Sequence, residues 1–188
     1  MKHLFTLLAL TIAFTVNAQA QIWTEVAGVS NAIKTFNNIA SAEWSTAMGK
    51  NTEASGEKST SMGQSTKATA DYSTAMGNGT EATGGFSTAM GRSTTASAES
   101  STAMGRSTHA TGVNSTAMGN STEANGAFST AMGNGTTASA DYSTAMGKNT
   151  EASGENSTAM GRETRASGLV STATVSYTHL TLPTISSV

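Results

Sequence analysis

The chain has 188 residues, with 10 Lys and Arg against 12 Asp and Glu, 19 Gly, one Pro and no Cys. A formal charge of −2 gives no electrostatic signature of nucleic-acid binding, and the lack of Cys excludes disulfides, thiolate metal sites and a cysteine nucleophile. No Leu or Ile occurs between residues 45 and 168, so the aliphatic side chains of an ordinary globular core are missing there. With only three His as well, we expect no metal site, no cofactor and no catalytic site.

The first twenty residues have the pattern of a signal peptide. Lys2 and His3 form a short basic start, an apolar run follows at residues 4–16, and Ala18 and Ala20 are the small residues before a cleavage site. The alternative is a membrane anchor, but the apolar run is too short to span a bilayer comfortably. We therefore predict that residues 1–20 are removed and that the protein is exported, with residues 21–44 forming a lead-in and a degenerate capping coil.

A strict repeat of 14 residues occupies residues 45–173. The motif Ser-Thr-Ala-Met-Gly begins at Ser45, Ser73, Ser87, Ser101, Ser115, Ser129, Ser143 and Ser157. A variant copy starts at Ser59, with Ser61 in place of Ala, and a truncated tenth copy starts at Ser171. Numbering the places of each copy from 1 to 14 gives S-T-A-M-G-x-x-T-x-A-[STN]-[GA]-x-x, and the nine full copies contain no insertion.

Each copy predicts one coil of an all-β solenoid with two short strands. At places 1–4 and 8–11, small residues alternate with residues that would point outward, which is the pattern of a β-strand. At places 5–7 and 12–14, Gly is followed by variable residues, which predicts corners with φ > 0 at Gly. Places 1, 3, 8 and 10 carry Ser, Ala, Thr and Ala, which are small enough to fill a flat coil. Nine coils about 4.8 Å apart make a rod on the order of 43 Å long.

Places 2 and 4 then form one uniform outer face of Thr and Met. Monomers rarely leave so large an apolar stripe in water, so we predict a subunit interface, the alternative being that the Met side chains fold inward in a monomer. The predicted interface residues are Met48, Met62, Met76, Met90, Met104, Met118, Met132, Met146, Met160, Thr74, Thr88 and Thr102.

Aromatic residues recur at place 14, on a predicted corner. Four of them, Tyr72, Phe86, Phe128 and Tyr142, are candidate contacts with an external partner. The alternative is that they cover the rim between neighbouring protomers.

The repeat resembles the head repeat of trimeric autotransporter adhesins, the YadA-like head. This resemblance covers residues 45–173, and Asn38, Ala40 and Ala42 extend its phase into the capping coil. It implies a left-handed parallel β-roll, a homotrimer, and a binding or spacer role at the cell surface or outer membrane, or in secreted form. Places 2 and 4 of the family face the trimer axis, usually with aliphatic residues, where this chain has Thr and Met. We expect any membrane attachment to be made only through a C-terminal anchor that is missing from this sequence. Similar repeats also resemble segments of fibre-like proteins that end in a self-cleaving chaperone domain.

Other functional classes fit the sequence less well. Regular Thr ladders suggest ice binding, but place 8 should point inward and place 2 has Met beside it. A serine nucleophile needs a base, and His109, the one His among the repeats, is expected on the wet outer face. Asp71 and Asp141 are the only Asp residues, too few for calcium-binding solenoid repeats. Disorder would explain the polar composition but not the exact phase.

The last fifteen residues break every regularity of the repeat. Residues 175–184 contain the only Pro, at Pro183, and resemble the translation of a sequencing adapter read in frame. Thr174 lies where the repeat has Met. An adapter sequence that replaces the last two bases of the Met codon would change that codon to one for Thr. We therefore predict that residues 174–188 are not native, the alternative being a genuine short strand.

Overall fold

The computed structural model describes residues 38–174. The predicted signal peptide, the first part of the lead-in and nearly all of the predicted non-native tail lie outside the described residues. Among residues 38–174, no helix is long and apolar enough to cross a membrane.

Every coil contributes one long and one short strand. The short strands span places 9 and 10, and the long strands span places 2–6, because the alternation of small and larger side chains is unbroken there. The short strands are β1 Ile39–Ala40, β3 Glu53–Ala54, β5 Lys67–Ala68, β7 Glu81–Ala82, β9 Thr95–Ala96, β11 His109–Ala110, β13 Glu123–Ala124, β15 Thr137–Ala138, β17 Glu151–Ala152 and β19 Arg165–Ala166. The long strands are β2 Thr46–Lys50, β4 Thr60–Gln64, β6 Thr74–Asn78, β8 Thr88–Arg92, β10 Thr102–Arg106, β12 Thr116–Asn120, β14 Thr130–Asn134, β16 Thr144–Lys148 and β18 Thr158–Arg162, with β20 Thr172–Ala173 cut short.

Over the described range, the strands stack into two parallel sheets of ten strands each, one short-stranded and one long-stranded. We call these the narrow sheet and the wide sheet. The register advances by one repeat per coil, so that Met104 lies beside Met90 and Met118 in the wide sheet. The prediction of an all-β solenoid with 14-residue coils and two short strands per coil is confirmed.

The interior contains only small side chains. Ala103 and Ala110, at places 3 and 10 of one coil, are both fully buried, as are Ser101 and Thr108 at places 1 and 8. The same four places are buried in every complete coil except the first, where Ser45 and Ala47 at places 1 and 3 are half-buried. This confirms the assignment of faces from the period of two. Ala methyls therefore supply the apolar contacts between the two sheets, which keeps the coil flat.

The corners differ from the prediction in one respect. Glycine at place 5 does have positive φ, as in Gly105 with φ +123°, but it lies inside a long strand. Glycine at place 12 does not have positive φ, so that part of the prediction was wrong. The left-handed residues of the corners are instead at places 7 and 14, as in Ser107 with φ 53° and Phe86 with φ 58°.

Buried hydroxyl groups follow a rule that depends on place 12. Where place 12 is Ala, the hydroxyl of the Ser three residues later donates to the carbonyl oxygen of that Ala, as Ser73 does to Ala70 at 2.6 Å. Where place 12 is Gly, as before Ser87, that hydroxyl is buried with no hydrogen-bond partner in the part of the chain that the structure describes. A Cβ on such a glycine would lie 2.0 Å from a carbonyl oxygen of the next coil, as Gly84 shows against Ala98. Ala and Gly at place 12 therefore take different local arrangements.

The variant coil has a local reason for its Ser. Most of the buried Thr hydroxyls at place 8 have no hydrogen-bond partner among the described residues. Thr66 is an exception, because its hydroxyl lies 2.7 Å from the hydroxyl of Ser61, which also donates to the Thr66 carbonyl oxygen at 3.0 Å. Ser61 thus supplies a partner that an Ala at the same place would lack.

Candidate subunit interface

The outer face of the wide sheet carries the predicted interface. Its Met side chains at place 4 form one continuous ladder, and its Thr side chains at place 2 form a second ladder beside the first. Most of these side chains are half-buried, because each packs between the same residue of the coils above and below. Met48, near one end of the rod, is more exposed, at 38%. The face is thus half apolar and the same at every level.

All of the predicted interface residues lie on this one face and outside the Ala core. The alternative in which the Met side chains fold into the coil does not agree with the structure, because the buried apolar core of residues 38–174 consists of Ala alone. Their role in subunit contact stays a prediction. The residues brought together on the face are Met48, Met62, Met76, Met90, Met104, Met118, Met132, Met146, Met160, Thr74, Thr88 and Thr102.

The aromatic residues of place 14 stack along one corner. The rings of Tyr72 and Phe86 are parallel, with centroids 4.8 Å apart, and those of Phe128 and Tyr142 are 5.1 Å apart. All four side chains are exposed. Since each ring covers a face of its neighbour, the stacks present mainly ring edges to an external partner. Their role as a binding surface stays a prediction.

Lys58 continues the first aromatic stack toward the end of the rod. Its ammonium lies 4.8 Å from the ring centroids of both Trp44 and Tyr72, a cation–π geometry on each side. The ammonium also donates to the Glu57 carboxylate at 2.7 Å and to the Tyr72 hydroxyl at 2.9 Å. These hydrogen bonds, the one to Glu57 first, raise the pKa of Lys58 to about 12.

Two charged edges border the wide sheet, and the sequence-based prediction did not include them. At place 6, where each long strand ends, there are five cations and no carboxylate. The cations of this basic edge are Lys50, Arg92, Arg106, Lys148 and Arg162. At place 13, just before each long strand, there are six carboxylates and no cation. The carboxylates of this acidic edge are Glu43, Glu57, Asp71, Glu99, Asp141 and Glu155. Reading each variable place as a column down the repeats would have found both edges.

The outer face of the narrow sheet is hydrophilic and irregular. Lys67 pairs with Glu81 at 3.2 Å, and Arg165 pairs with Glu151, each across one coil. Such exposed pairs contribute little to stability, in the range of about 0–1 kcal/mol each. His109 is exposed on this face, as expected. Within residues 38–174, no cluster of three His, Asp or Glu side chains is arranged to hold a metal ion.

Comparison with known proteins agrees with this architecture. The family model of the YadA head domain repeat matches residues 40–64, 54–80, 82–108, 110–136, 124–150 and 152–174. No match was found among curated proteins. The family matches follow the coils from β1 to the truncated tenth copy and together cover well over half of the chain. The chain therefore belongs to the YadA head domain repeat family.

Proposed function

We propose that this chain is the head segment of an exported trimeric autotransporter adhesin, in which three rods lie side by side around one axis. The observation that carries the proposal is the Thr and Met face, which repeats without change along nine full coils. Membership of the YadA head family supports it, because those repeats occur in trimeric surface adhesins.

Cyclic symmetry accounts for the uniformity of that face. When identical rods pack around an axis parallel to their length, every level presents the same surface to the axis. Places 2 and 4 of every coil then lie in the same environment near the axis, which favours the same pair of residue types throughout, while the places on the outer surface are free to vary. Met is unbranched and polarizable, so it fills the irregular gaps near an axis where three side chains meet.

The outer surface has either a binding or a spacer role. Places 6, 7, 9, 13 and 14 vary from coil to coil, and the stacked aromatics Tyr72, Phe86, Phe128 and Tyr142 lie among them. A binding assay on extracellular matrix and on cell surfaces tests this choice. Retention that is lost on replacing Phe86 and Phe128 by Ser would support adhesion, and an intact trimer that binds no surface would support a spacer.

Export and attachment follow from the rest of the proposal. The predicted signal peptide at residues 1–20 supports export, and the family supports display at the cell surface or outer membrane, or release as a secreted protein. A long sequencing read through the 3′ end of the gene tests the attachment. A coiled coil followed by membrane strands would support a surface adhesin, whereas a self-cleaving chaperone domain would instead support a fibre-like protein.

The trimer is tested directly by its mass. We expect the unaltered chain to sediment as a trimer at micromolar concentration. A Met104→Glu variant should dissociate, because it places three carboxylates close to the axis in a poorly hydrated site. Met104→Leu, which keeps the volume and the apolar character, is the matched control and should remain trimeric. A monomeric mass for the unaltered chain would contradict the proposal.

A further inference from the structure

The basic and acidic edges lie on opposite sides of the Met ladder. Arg106 ends strand β10, while Glu99 lies just before the same strand, separated from it by one corner residue and Ser101. Both side chains are exposed, and the five residues of the strand separate them within one chain. The wide sheet therefore has a cationic margin along one side and an anionic margin along the other.

Cyclic packing brings these two margins together. Around an axis parallel to the rods, the contact between neighbours is heterologous, so one side of each protomer meets the opposite side of the next. The basic edge of one chain then faces the acidic edge of its neighbour at all three contacts. If one rod were antiparallel to its neighbour, with its wide sheet still facing the axis, its basic and acidic edges would change sides. The basic edge of that rod would then lie against the basic edge of its neighbour.

The levels of the charges also match. In a closed trimer the protomers stand at the same height, and places 6 and 13 are seven residues apart, which is half a coil or about 2.4 Å of rise. Each cation therefore meets the carboxylates seven residues before and after it in the neighbouring chain. The pairs are Lys50 with Glu43 and Glu57, Arg92 with Glu99, Arg106 with Glu99, Lys148 with Asp141 and Glu155, and Arg162 with Glu155.

The coil without acidic neighbours provides the converse observation. Asn120 lies at place 6 between levels where place 13 is Val113 and Ala127, so no carboxylate faces it, and no cation is present there either. All five cations of the basic edge have at least one carboxylate within half a coil. No cation of the basic edge therefore lacks a facing carboxylate, whereas the uncharged Gln64, Asn78 and Asn134 also face one or two carboxylates.

Four of the five cations of the basic edge form no ion pair within residues 38–174 and are available for contact with another chain. Within residues 38–174, the ion pairs are Lys58 with Glu57, Lys67 with Glu81, Arg162 with Glu163 and Arg165 with Glu151. Lys50, Arg92, Arg106 and Lys148 take part in none of these pairs, and all four are exposed. On the acidic edge, Glu43, Glu99 and Glu155 are likewise outside these pairs.

We propose that the two edges form a ladder of ion pairs between neighbouring copies of this chain and that this ladder sets the parallel orientation of the protomers. The inference rests on the proposed trimer. The Thr and Met face alone cannot select the parallel orientation, because that face is the same at every level. The charged edges can select it. In an antiparallel arrangement, edges of like charge would meet, and their repulsion disfavours that arrangement, as in other interfaces that select partners by repulsion.

Charge exchange at one level tests the ladder. Arg106→Glu alone and Glu99→Arg alone should each raise the trimer dissociation constant at low salt by about tenfold or more. Arg106→Glu makes three contacts per trimer repulsive, and Glu99→Arg makes six, because Glu99 faces both Arg92 and Arg106. The triple variant Arg92→Glu, Glu99→Arg and Arg106→Glu should return it to within about threefold of the unaltered chain, since Glu99 faces both arginines and both pairs are then restored with their charges exchanged. The measurement is sedimentation equilibrium, repeated at about 1 M salt, where screening should reduce the effect of the single changes.

Asn120→Glu is the matched control, because it adds a carboxylate to the same edge at a level with no facing carboxylate. It should change the dissociation constant by less than about threefold. A triple variant as weak as Glu99→Arg alone, or an Asn120→Glu variant as weak as Arg106→Glu, would overturn the edge ladder while leaving the trimer intact. A monomeric unaltered chain would overturn the proposed function itself.

Discussion

Replacing one strand glycine with alanine offers a sharp test of the coil stacking. Gly105 lies in β10 with φ +123°, a conformation that L side chains rarely adopt. A Cβ at this position would stand 2.0 Å from the carbonyl oxygen of Gly119 in the next coil and 2.9 Å from its carbonyl carbon. The obstructing atoms belong to the backbone, so no side-chain rotation can relieve the contact.

The cost of Gly105→Ala has two parts. Holding a non-glycine residue in this backbone region costs about 1–3 kcal/mol. Moving the two coils apart weakens the hydrogen bonds between β10 and β12, each of which contributes about 0.5–1.5 kcal/mol. Loss of one or two of these bonds brings the expected destabilisation to about 1.5–6 kcal/mol, which at about 2–4 °C per kcal/mol corresponds to a fall in Tm on the order of 3–24 °C.

Gly85→Ala is the matched control. Gly85 lies on a corner, its φ is not positive, and a Cβ there would have no heavy atom within 4 Å. We expect a change within about 0.5 kcal/mol, or a slight gain because Ala restricts the unfolded chain more than Gly.

Thermal and urea unfolding of both variants, followed by far-ultraviolet circular dichroism, provides the measurement. Since each coil contacts mainly its neighbours, the Gly105→Ala transition should also broaden as the stack separates at that boundary. Equal unfolding midpoints for the two variants would refute the close backbone approach that the structure shows at Gly105.

Two further predictions concern buried and exposed polar groups. Thr108→Val should leave stability unchanged or slightly raise it, because the buried hydroxyl of Thr108 has no hydrogen-bond partner among the described residues. Thr66→Val should destabilise the fold by about 1 kcal/mol more than Thr108→Val, because it removes the hydrogen bond to Ser61. Urea unfolding of the two variants provides the comparison. The second prediction concerns Lys58, whose pKa in the folded protein is raised from 10.5 to about 12, chiefly by the hydrogen bond to Glu57. Its contribution to the stability of the fold should be complete below pH 10.5 and should be lost as the pH rises through 12. NMR titration of the Lys58 side chain checks this, and Glu57→Gln should lower the measured value.

Much of this fold could be predicted from the sequence because the repeat has no insertions. A fixed period of 14 requires every coil to meet its neighbours in the same way, and a period of two within each half assigns side chains to the inside or the outside. Ala103 and Thr108 were accordingly expected in the interior, and Met104 on the outer face, where the structure places all three.

The predicted corners were only partly correct. Glycine is usually the signal for positive φ, so the sequence pointed to places 5 and 12. At place 12, however, glycine is required in several coils because a Cβ would meet the carbonyl of the next coil, as at Gly84, and not because of its φ. The left-handed residues of the corners include Ser107 and even the aromatic Phe86, which carry no such signal.

The sequence by itself therefore determined the coil length, the two strands per coil and the face on which each repeated residue lies, because those follow from periodicity alone. Only the tertiary structure decided which hydroxyls find partners, as Ser61 does with Thr66, and how Tyr72 stacks on Phe86 across the coils. These contacts depend on distances of a few ångströms between backbones stacked one coil apart, and a pattern of residue types does not specify such distances.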